Sequence, residues 1–177
     1  MKAILIRLSF IMTALLACSS FAVAHAHDVA EPGMASEPGV SDDATSVSPI
    51  AVPIDTAALA VFPRESVVAT AHEQTLRCEG VPLTALLRAA QAMPVGALRG
   101  ARLASYVLVT ARDGYRAVYA LADFDPSLGN RKVYLVDRCD GKPLDDHDGP
   151  LRLLAPDESR PARWVRQVQS IAVVAAP

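Results

Sequence analysis

The strongest constraint on how this chain folds is a series of short aliphatic runs, each ended by turn residues. Short runs rich in β-branched and aromatic residues, bounded by Gly, Pro, Asn or Asp, are typical of strands. The runs predicted to form strands cover residues 66–71, 73–78, 104–111, 115–120, 132–137, 151–155 and 168–174. Because few helices interrupt them, the pattern predicts an α+β domain with a mixed β-sheet and few short helices.

Turns and helices separate these runs. The words Glu79-Gly80 and Arg112-Asp113-Gly114 predict tight turns between strands. A helix is predicted over residues 83–93, because Leu and Ala recur there at helical spacing and Pro94 ends the run. A shorter helix is predicted to begin after a cap at Asp55 or Thr56.

The first 26 residues have the pattern of an export signal. Lys2 and Arg7 precede a short apolar run, and small residues follow up to Ala26, which predicts a signal peptide over residues 1–26. The run is shorter than the about 20 apolar residues that a membrane-spanning helix needs. We therefore expect a periplasmic mature chain with no transmembrane segment. Lipoprotein processing at Cys18 is the alternative, and it would leave a lipid-anchored N-terminus.

The mature chain divides into a linker and one domain. Residues 27–53 are rich in Pro, Gly, Ser and acidic residues, which predicts a disordered linker before a domain over residues 54–177. Removal of residues 1–26 takes away Lys2 and Arg7, so 17 basic residues become 15 against 19 acidic ones. Such an acidic balance gives no basic face for nucleic acid.

Two cysteines, Cys78 and Cys139, remain after removal of the signal peptide. In an oxidising periplasm they form either a disulfide or two separate, half-buried thiols before two turns. A disulfide requires Cα atoms no more than about 7 Å apart, and the sequence does not give that separation.

Several short sequence motifs occur in an order that carries a family resemblance. They are Gly80-Val81-Pro82-Leu83, Asp113-Gly114-Tyr115, Asp140-Gly141-Lys142-Pro143-Leu144, Gly149-Pro150-Leu151-Arg152 and Arg163-Trp164-Val165. Over roughly residues 56–175 the chain resembles the molybdopterin-binding domain of the sulfite oxidase/molybdopterin-dependent oxidoreductase family. The resemblance implies that family's fold, in a short exported member.

The resemblance also implies a set of cofactor-binding residues. In the family, a His three residues before the Pro and an Arg two residues after it contact the pterin, and these positions are His147 and Arg152. The basic residue before the Trp faces the pterin phosphate, and here it is Arg163, with Arg160 close by. Guanidinium groups suit this task because they hold phosphate through two parallel hydrogen bonds.

Three departures from the family pattern bear on the cofactor. The family's molybdenum-ligating Cys ends the strand predicted over residues 66–71, where this chain has Ala71-His72. The family's N-terminal clamp has no counterpart, and the signal lacks the adjacent arginines of the route for folded, cofactor-loaded proteins. We therefore expect no cofactor and no metal, with molybdopterin as the alternative.

Ordinary structural roles compete with these functional ones. Arg152, Arg160, Arg163 and Arg166 form either an anion site or surface ion pairs with nearby acids. We interpret His72 as a polar residue at a strand end and Trp164 as a core residue. The acidic loop around His147 does not have the spacing of a calcium site, and no nucleophile elbow, P-loop or dinucleotide fingerprint occurs.

Three functions follow from these observations. The first is an exported binding or accessory module that lacks molybdenum and binds a small anion or a protein partner. The second is a molybdopterin-dependent oxidoreductase with unusual ligation. The third is a docking domain of a membrane or signalling system. We expect the first, which is a binding role rather than a catalytic one.

Overall fold

The computed structural model describes residues 49–177. The predicted signal peptide, the Cys18 alternative and residues 27–48 of the predicted linker lie outside the described residues. The strands are β1 (Ile50–Val52), β2 (Glu65–Ala71), β3 (Gln74–Pro82), β4 (Ser105–Ala111), β5 (Arg116–Ala120), β6 (Tyr134–Cys139), β7 (Lys142–Pro143), β8 (Arg152–Leu154) and β9 (Val168–Ala175). The α-helices are α1 (Thr56–Ala60) and α2 (Leu83–Ala89), and three 3₁₀ helices cover Gly100–Ala104, Leu121–Phe124 and Pro161–Arg163.

The strands form two sheets. One has four strands in the order β1-β9-β4-β5, and the other has the order β2-β3-β6-β7, with β8 also paired to β6. The α+β class predicted from the sequence agrees with this architecture. The prediction of a single mixed sheet needs correction, because there are two sheets and each strand pair within residues 49–177 is antiparallel. Short hairpins join β2 to β3, β4 to β5 and β6 to β7, and such connections make antiparallel pairs.

One apolar core joins the two sheets. Buried side chains from both sheets and from α2 belong to a single cluster, which includes Val107, Tyr119, Leu87 and Leu153. Trp164 is 5% exposed and donates a hydrogen bond from Nε1 to the carbonyl oxygen of Ala155 at 2.9 Å. The expectation that Trp164 is a core residue is therefore confirmed.

The start of the domain differs from the prediction. Residues 50–52, which the sequence assigns to the linker, form β1 and pair with β9 from Ile50↔Val173 to Val52↔Ile171. The folded domain therefore begins before Ile54. Pro49 and Pro53 flank this three-residue strand, and its partner lies far along the chain, so local composition concealed it.

The predicted turn at Glu79-Gly80 is wrong. Both residues lie inside β3, where the register against β6 shifts between them. A Cβ atom on Gly80 would collide with the carbonyl oxygen of Leu135. Glycine inside a strand often marks a bulge or a close approach of two backbones, and here it marks both.

The helix boundaries differ from their predictions by a few residues at most. Asp55 caps α1 by accepting a hydrogen bond from the backbone of Ala58 at 3.0 Å, which confirms that cap. By contrast, α2 ends at Ala89, before the predicted Met93. Gln91 adopts a positive φ of 56°, and this backbone conformation ends the helix before Pro94 is reached.

The two cysteines form a disulfide. Cys78 on β3 lies directly opposite Cys139 on β6, and their Cα atoms are 3.9 Å apart, within the limit of about 7 Å. Cys78 is buried, so the disulfide joins the two strands on the core side of the sheet. Of the two alternatives left by the sequence, the structure therefore has the disulfide.

Candidate functional site

A cleft of about 310 Å³ lies beside the turn of the β2–β3 hairpin. We call it the arginine cleft, because two guanidinium groups form part of its wall. The residues on which its chemistry depends are His72, His147, Asp148, Arg152, Trp164 and Arg166. It therefore brings the β2–β3 hairpin together with two segments, around residues 147–152 and 161–166, that lie far from it in the sequence.

The hairpin turn explains how His72 reaches the cleft. Ala71 pairs with Gln74, so only His72 and Glu73 connect β2 to β3. Both residues have positive φ, 49° and 66°, as two-residue turns with the twist of a hairpin require. The imidazole is consequently exposed at the end of β2, in the cleft.

The second wall comes from an acidic turn before β8. The Oδ1 atom of Asp145 accepts hydrogen bonds from the backbone N–H groups of His147 at 3.1 Å and Asp148 at 2.9 Å. This Asx-type turn fixes the backbone of residues 145–148. It places the side chains of His147 and Asp148 beside Arg152 at the start of β8.

Arg152 is the least exposed charged group of the cleft. Its side chain is 9% exposed, and Nη1 pairs with Oδ2 of Asp148. Burial lowers the pKa of Arg152, and the negative charge of Asp148 opposes that shift. The Nε atom is buried and has no hydrogen-bond partner. An unsatisfied buried donor is costly, so an acceptor that reached this N–H group would stabilise it.

Asp148 organises the remaining groups of the cleft. Its Oδ1 atom lies 3.1 Å from Nε of Arg166 and 3.2 Å from Nδ1 of His147. Nη1 of Arg166 lies 3.0 Å from Nε2 of His147. Since a guanidinium can only donate, Nε2 accepts this bond, and Nδ1 therefore carries the proton and donates to Asp148.

The structure does not bring Arg163 or Arg160 to these residues. The guanidinium of Arg163 pairs with Glu158, donates to the carbonyl oxygen of Val118 at 3.1 Å and lies over the ring of Tyr119. Arg160 is exposed and makes no ion pair or hydrogen bond among residues 49–177. Of the four predicted site residues, His147 and Arg152 share the arginine cleft, and the other two lie outside its wall.

Asp148 and Arg166 complete the cleft, and the residue-by-residue resemblance did not assign them. Arg166 was one of the four arginines considered for an anion site, but no motif distinguished it. Asp148 lies four residues before Arg152 and follows two other acidic residues, so its role was hidden within a run that suggests a solvated loop. Only the three-dimensional arrangement separates Asp148 from its neighbours.

The cleft does not supply the ligand for molybdenum that the resemblance implies. Ala71 has a methyl group at the position where the family has a thiolate, and both cysteines of residues 49–177 form the disulfide. His72 offers an imidazole, which is a different type of ligand from a thiolate. The donor set therefore does not fit the metal of that family, and we derive no chemistry through it.

A cation is also poorly matched to the acidic turn. Ligand atoms of Asp145, His147 and Asp148 lie within 4.8 Å of one another. However, both carboxylate oxygens of Asp148 already face a guanidinium, Oδ2 towards Arg152 and Oδ1 towards Arg166. These two guanidinium groups already neutralise the negative charge that a metal ion would need.

A larger groove, of about 760 Å³, lies beside α1, β6 and β7. Its floor is apolar and includes Leu59 and Leu144. Its charged groups satisfy one another, because Asp137 pairs with Arg64 and lies 3.6 Å from Nε of Arg138. No buried unpaired polar atom of residues 49–177 lines this groove, so the arginine cleft is the better candidate site.

The chain matches no known family model, and no curated protein matches it in sequence. None of the helices among residues 49–177 is long and apolar enough to cross a membrane.

Proposed function

We propose that this chain is an exported, periplasmic binding or accessory module of the molybdopterin-binding-domain type that works without molybdenum. Its ligand is a small anion held in the arginine cleft. The observation that carries the proposal is the largely buried guanidinium of Arg152 beside that cleft, whose Nε–H group has no hydrogen-bond partner among residues 49–177.

The charges of the cleft favour an anion over a cation or a neutral ligand. Among the residues that line the cleft, Arg152 and Arg166 contribute two positive charges against the carboxylate of Asp148, and the Asp145 carboxylate lies beside Asp148 outside that lining. Burial of Arg152 removes competing water, which strengthens its attraction for an anion. Asp148 holds both guanidinium groups in place before a ligand arrives, and such preorganisation reduces the entropy lost on binding.

The position of His72 supports a domain of the molybdopterin-binding type, but it does not support the binding of molybdenum. The end of β2 lies in the same cleft as His147 and Arg152, which is the arrangement expected if the resemblance extends to three dimensions. The residues at that strand end, Ala71 and His72, lack a thiolate. A binding role therefore accounts for the residues better than redox chemistry at a thiolate-bound metal does.

The first experiment measures molybdenum and pterin in the processed protein, expressed from its full precursor with its own signal. We expect neither in stoichiometric amount. Stoichiometric molybdenum and pterin would overturn the proposal in favour of a molybdopterin-dependent oxidoreductase, and His72 would then become the candidate ligand.

The second experiment titrates the same protein with phosphate, sulfate and acetate by calorimetry. We expect at least one anion to bind, and Arg152→Met to abolish that binding. Arg160→Ala is the matched control, because it removes an exposed positive charge outside the cleft. Equal loss in both variants would mean that net charge, rather than the cleft, attracts the anion. Absence of binding to all three anions would reject the anion-binding role.

A further inference from the structure

The outward face of the four-stranded sheet is unusually apolar. The alternate residues of each strand that point away from the core share this face. We call these ten positions the outer face: Ala51 on β1; Ser170, Ala172 and Val174 on β9; Tyr106, Leu108 and Thr110 on β4; and Arg116, Val118 and Ala120 on β5. Seven of them are apolar, none is acidic and one is basic.

Burial confirms which side of the sheet is outward. On β4 the residues alternate strictly, with Val107 and Val109 buried and Tyr106 and Leu108 half-buried. On β5, Val118 is 47% exposed while its neighbours Ala117 and Tyr119 are buried. The outer face is therefore accessible to a partner in the part of the chain that the structure describes.

The second sheet provides an internal comparison. A solvated face of an antiparallel sheet normally alternates polar residues with the buried ones. The outward positions of β2 and β3 largely follow this rule: Ser66, Thr70, Thr75, Arg77 and Glu79 are polar, and Val68 is the exception. The departure from this rule is thus far larger on the outer face. Contiguous apolar patches that are rimmed by polar residues mark interaction sites.

One row across the outer face is graded in size. In register from one edge strand to the other, it runs Ala51, Ala172, Leu108, Val118. Small side chains lie at the β1 edge and larger ones at the β5 edge. A two-fold axis parallel to the strands would place β1 of one copy over β5 of the other. The small residues of each copy would then receive the larger residues of its partner.

From this grading we infer that the outer face is a contact between two copies of this chain, packed sheet against sheet. Sheets stack in this manner at about 10 Å, with their side chains interdigitated. The single charge, that of Arg116, lies on the row beside this one, so the central contact opposes no like charges. The segment over residues 27–48 is too polar in sequence to be the natural cover of such a face.

The size of the outer face sets the strength of the contact. With strands about 4.8 Å apart and alternate residues about 6.8 Å apart, ten positions cover on the order of 300 Å². Stable complexes bury about 800 Å² on each partner. The dimer is therefore weak and forms reversibly as the concentration rises.

Sedimentation velocity of the processed protein from about 10 μM to about 1 mM tests this inference. We expect the weight-average mass to rise from monomer towards dimer. Val118→Glu should remove this rise, because it places a charge within the contact. Val95→Glu is the matched control, since Val95 is 85% exposed and lies outside both sheets. Circular dichroism and the intact disulfide establish that each variant is folded.

A charge exchange tests the two-fold arrangement. Ala51→Lys alone should also remove the association, while the double variant Ala51→Lys with Val118→Glu should restore it, because each new charge meets its opposite across the dimer. Within one copy these positions are three strand spacings apart, about 14 Å, too far to pair internally. A protein that stays monomeric throughout, or a double variant that does not recover, would overturn the inference.

This contact is independent of the arginine cleft. Arg152→Met should therefore self-associate as the unaltered protein does, whether or not an anion binds in the cleft. The two proposals can consequently fail separately.

Discussion

The guanidinium carbon of Arg163 lies 4.2 Å from the centre of the Tyr119 ring, and the hydroxyl of Tyr119 donates a 2.7 Å hydrogen bond to the carbonyl oxygen of Arg163. Burial, reinforced by the charge of Glu158, raises the pKa of Tyr119 far above its ordinary value, so this hydroxyl keeps its proton and remains a donor. Each residue therefore holds the other, and together they attach the segment before Trp164 to β5.

Replacement of Arg163 should therefore act on stability. We expect Arg163→Ala to lower the free energy of unfolding by about 1–3 kcal/mol, because it removes a cation–π contact and hydrogen bonds to Glu158 and Val118. Urea denaturation measures the change, and Arg160→Ala should stay within about 0.5 kcal/mol of the unaltered protein. An Arg163→Ala variant with full stability but no anion binding would instead connect Arg163 with the arginine cleft.

Arg152 and Arg163 show how much of the candidate site could be predicted from the sequence. Arg152 and Arg163 looked equivalent, since the resemblance assigned both to the same cofactor. The strand β8 directs Arg152 into a cleft beside Asp148, whereas the 3₁₀ helix over Pro161–Arg163 turns Arg163 towards an aromatic ring on β5. Side-chain direction at this scale depends on tertiary packing, which a motif does not encode.

The ion pair between Asp148 and Arg152 should respond asymmetrically to substitution. Asp148→Asn leaves a guanidinium with 9% exposure without its counter-charge, and we expect a loss of about 3 kcal/mol in the free energy of unfolding. Arg152→Met should cost less, about 1 kcal/mol, because the Asp148 carboxylate keeps Arg166 as a partner and remains in contact with water.

Chemical denaturation of both variants measures this order. A larger loss for Arg152→Met than for Asp148→Asn would mean that burial of the guanidinium is not the dominant cost. Arg166→Ala serves as a control, because Arg166 is exposed and its removal leaves the buried pair intact.

The disulfide should make a substantial contribution to stability. It closes a loop between residues 61 positions apart, and constraint of the unfolded chain over such a loop is worth about 4 kcal/mol. We expect the double variant Cys78→Ser with Cys139→Ser to unfold at lower temperature than the oxidised protein. Reductant should lower the melting temperature of the unaltered protein and leave that of the double variant unchanged.

The mass under non-reducing conditions provides the second measurement. The unaltered protein should be two hydrogen atoms lighter than its fully reduced form. Two titratable thiols in the unaltered protein, with no change in mass on adding reductant, would contradict the pairing of Cys78 with Cys139.

The disulfide and β1 are two features that the sequence alone could not determine. Two similar words around Cys78 and Cys139 made a pairing conceivable, but only the register between β3 and β6 places the two residues opposite each other. The strand β1 was missed because three residues between two prolines resemble a linker. By contrast, strands such as β4 were predictable, since a run of β-branched and aromatic residues ended by Arg112-Asp113-Gly114 carries the signal locally.

Asp125 should make the stability of the domain depend on acid. The carboxylate of this buried residue accepts hydrogen bonds from the side chain of Ser127 at 2.6 Å, from the backbone of Leu98 at 2.5 Å and from the backbone of Ser127 at 2.7 Å. These bonds, that of the Ser127 hydroxyl foremost, lower the pKa of Asp125 in the folded state. They join the segment before the first 3₁₀ helix to the loop after the second.

A lowered folded-state pKa fixes the sign of the effect. The ionised carboxylate contributes stability that is fully present above the unfolded-state pKa of about 3.9 and is lost as the pH falls through the folded-state value. We therefore expect the melting temperature of the unaltered protein to exceed that of Asp125→Asn at neutral pH. The difference should shrink as the pH falls below about 4. Ser127→Ala should weaken this pH dependence, because it removes the hydrogen bond that contributes most to the lowered pKa of Asp125. If the difference in melting temperature between the two proteins stayed constant from neutral pH to about pH 2.5, the charge of Asp125 would not be the source of its contribution to stability.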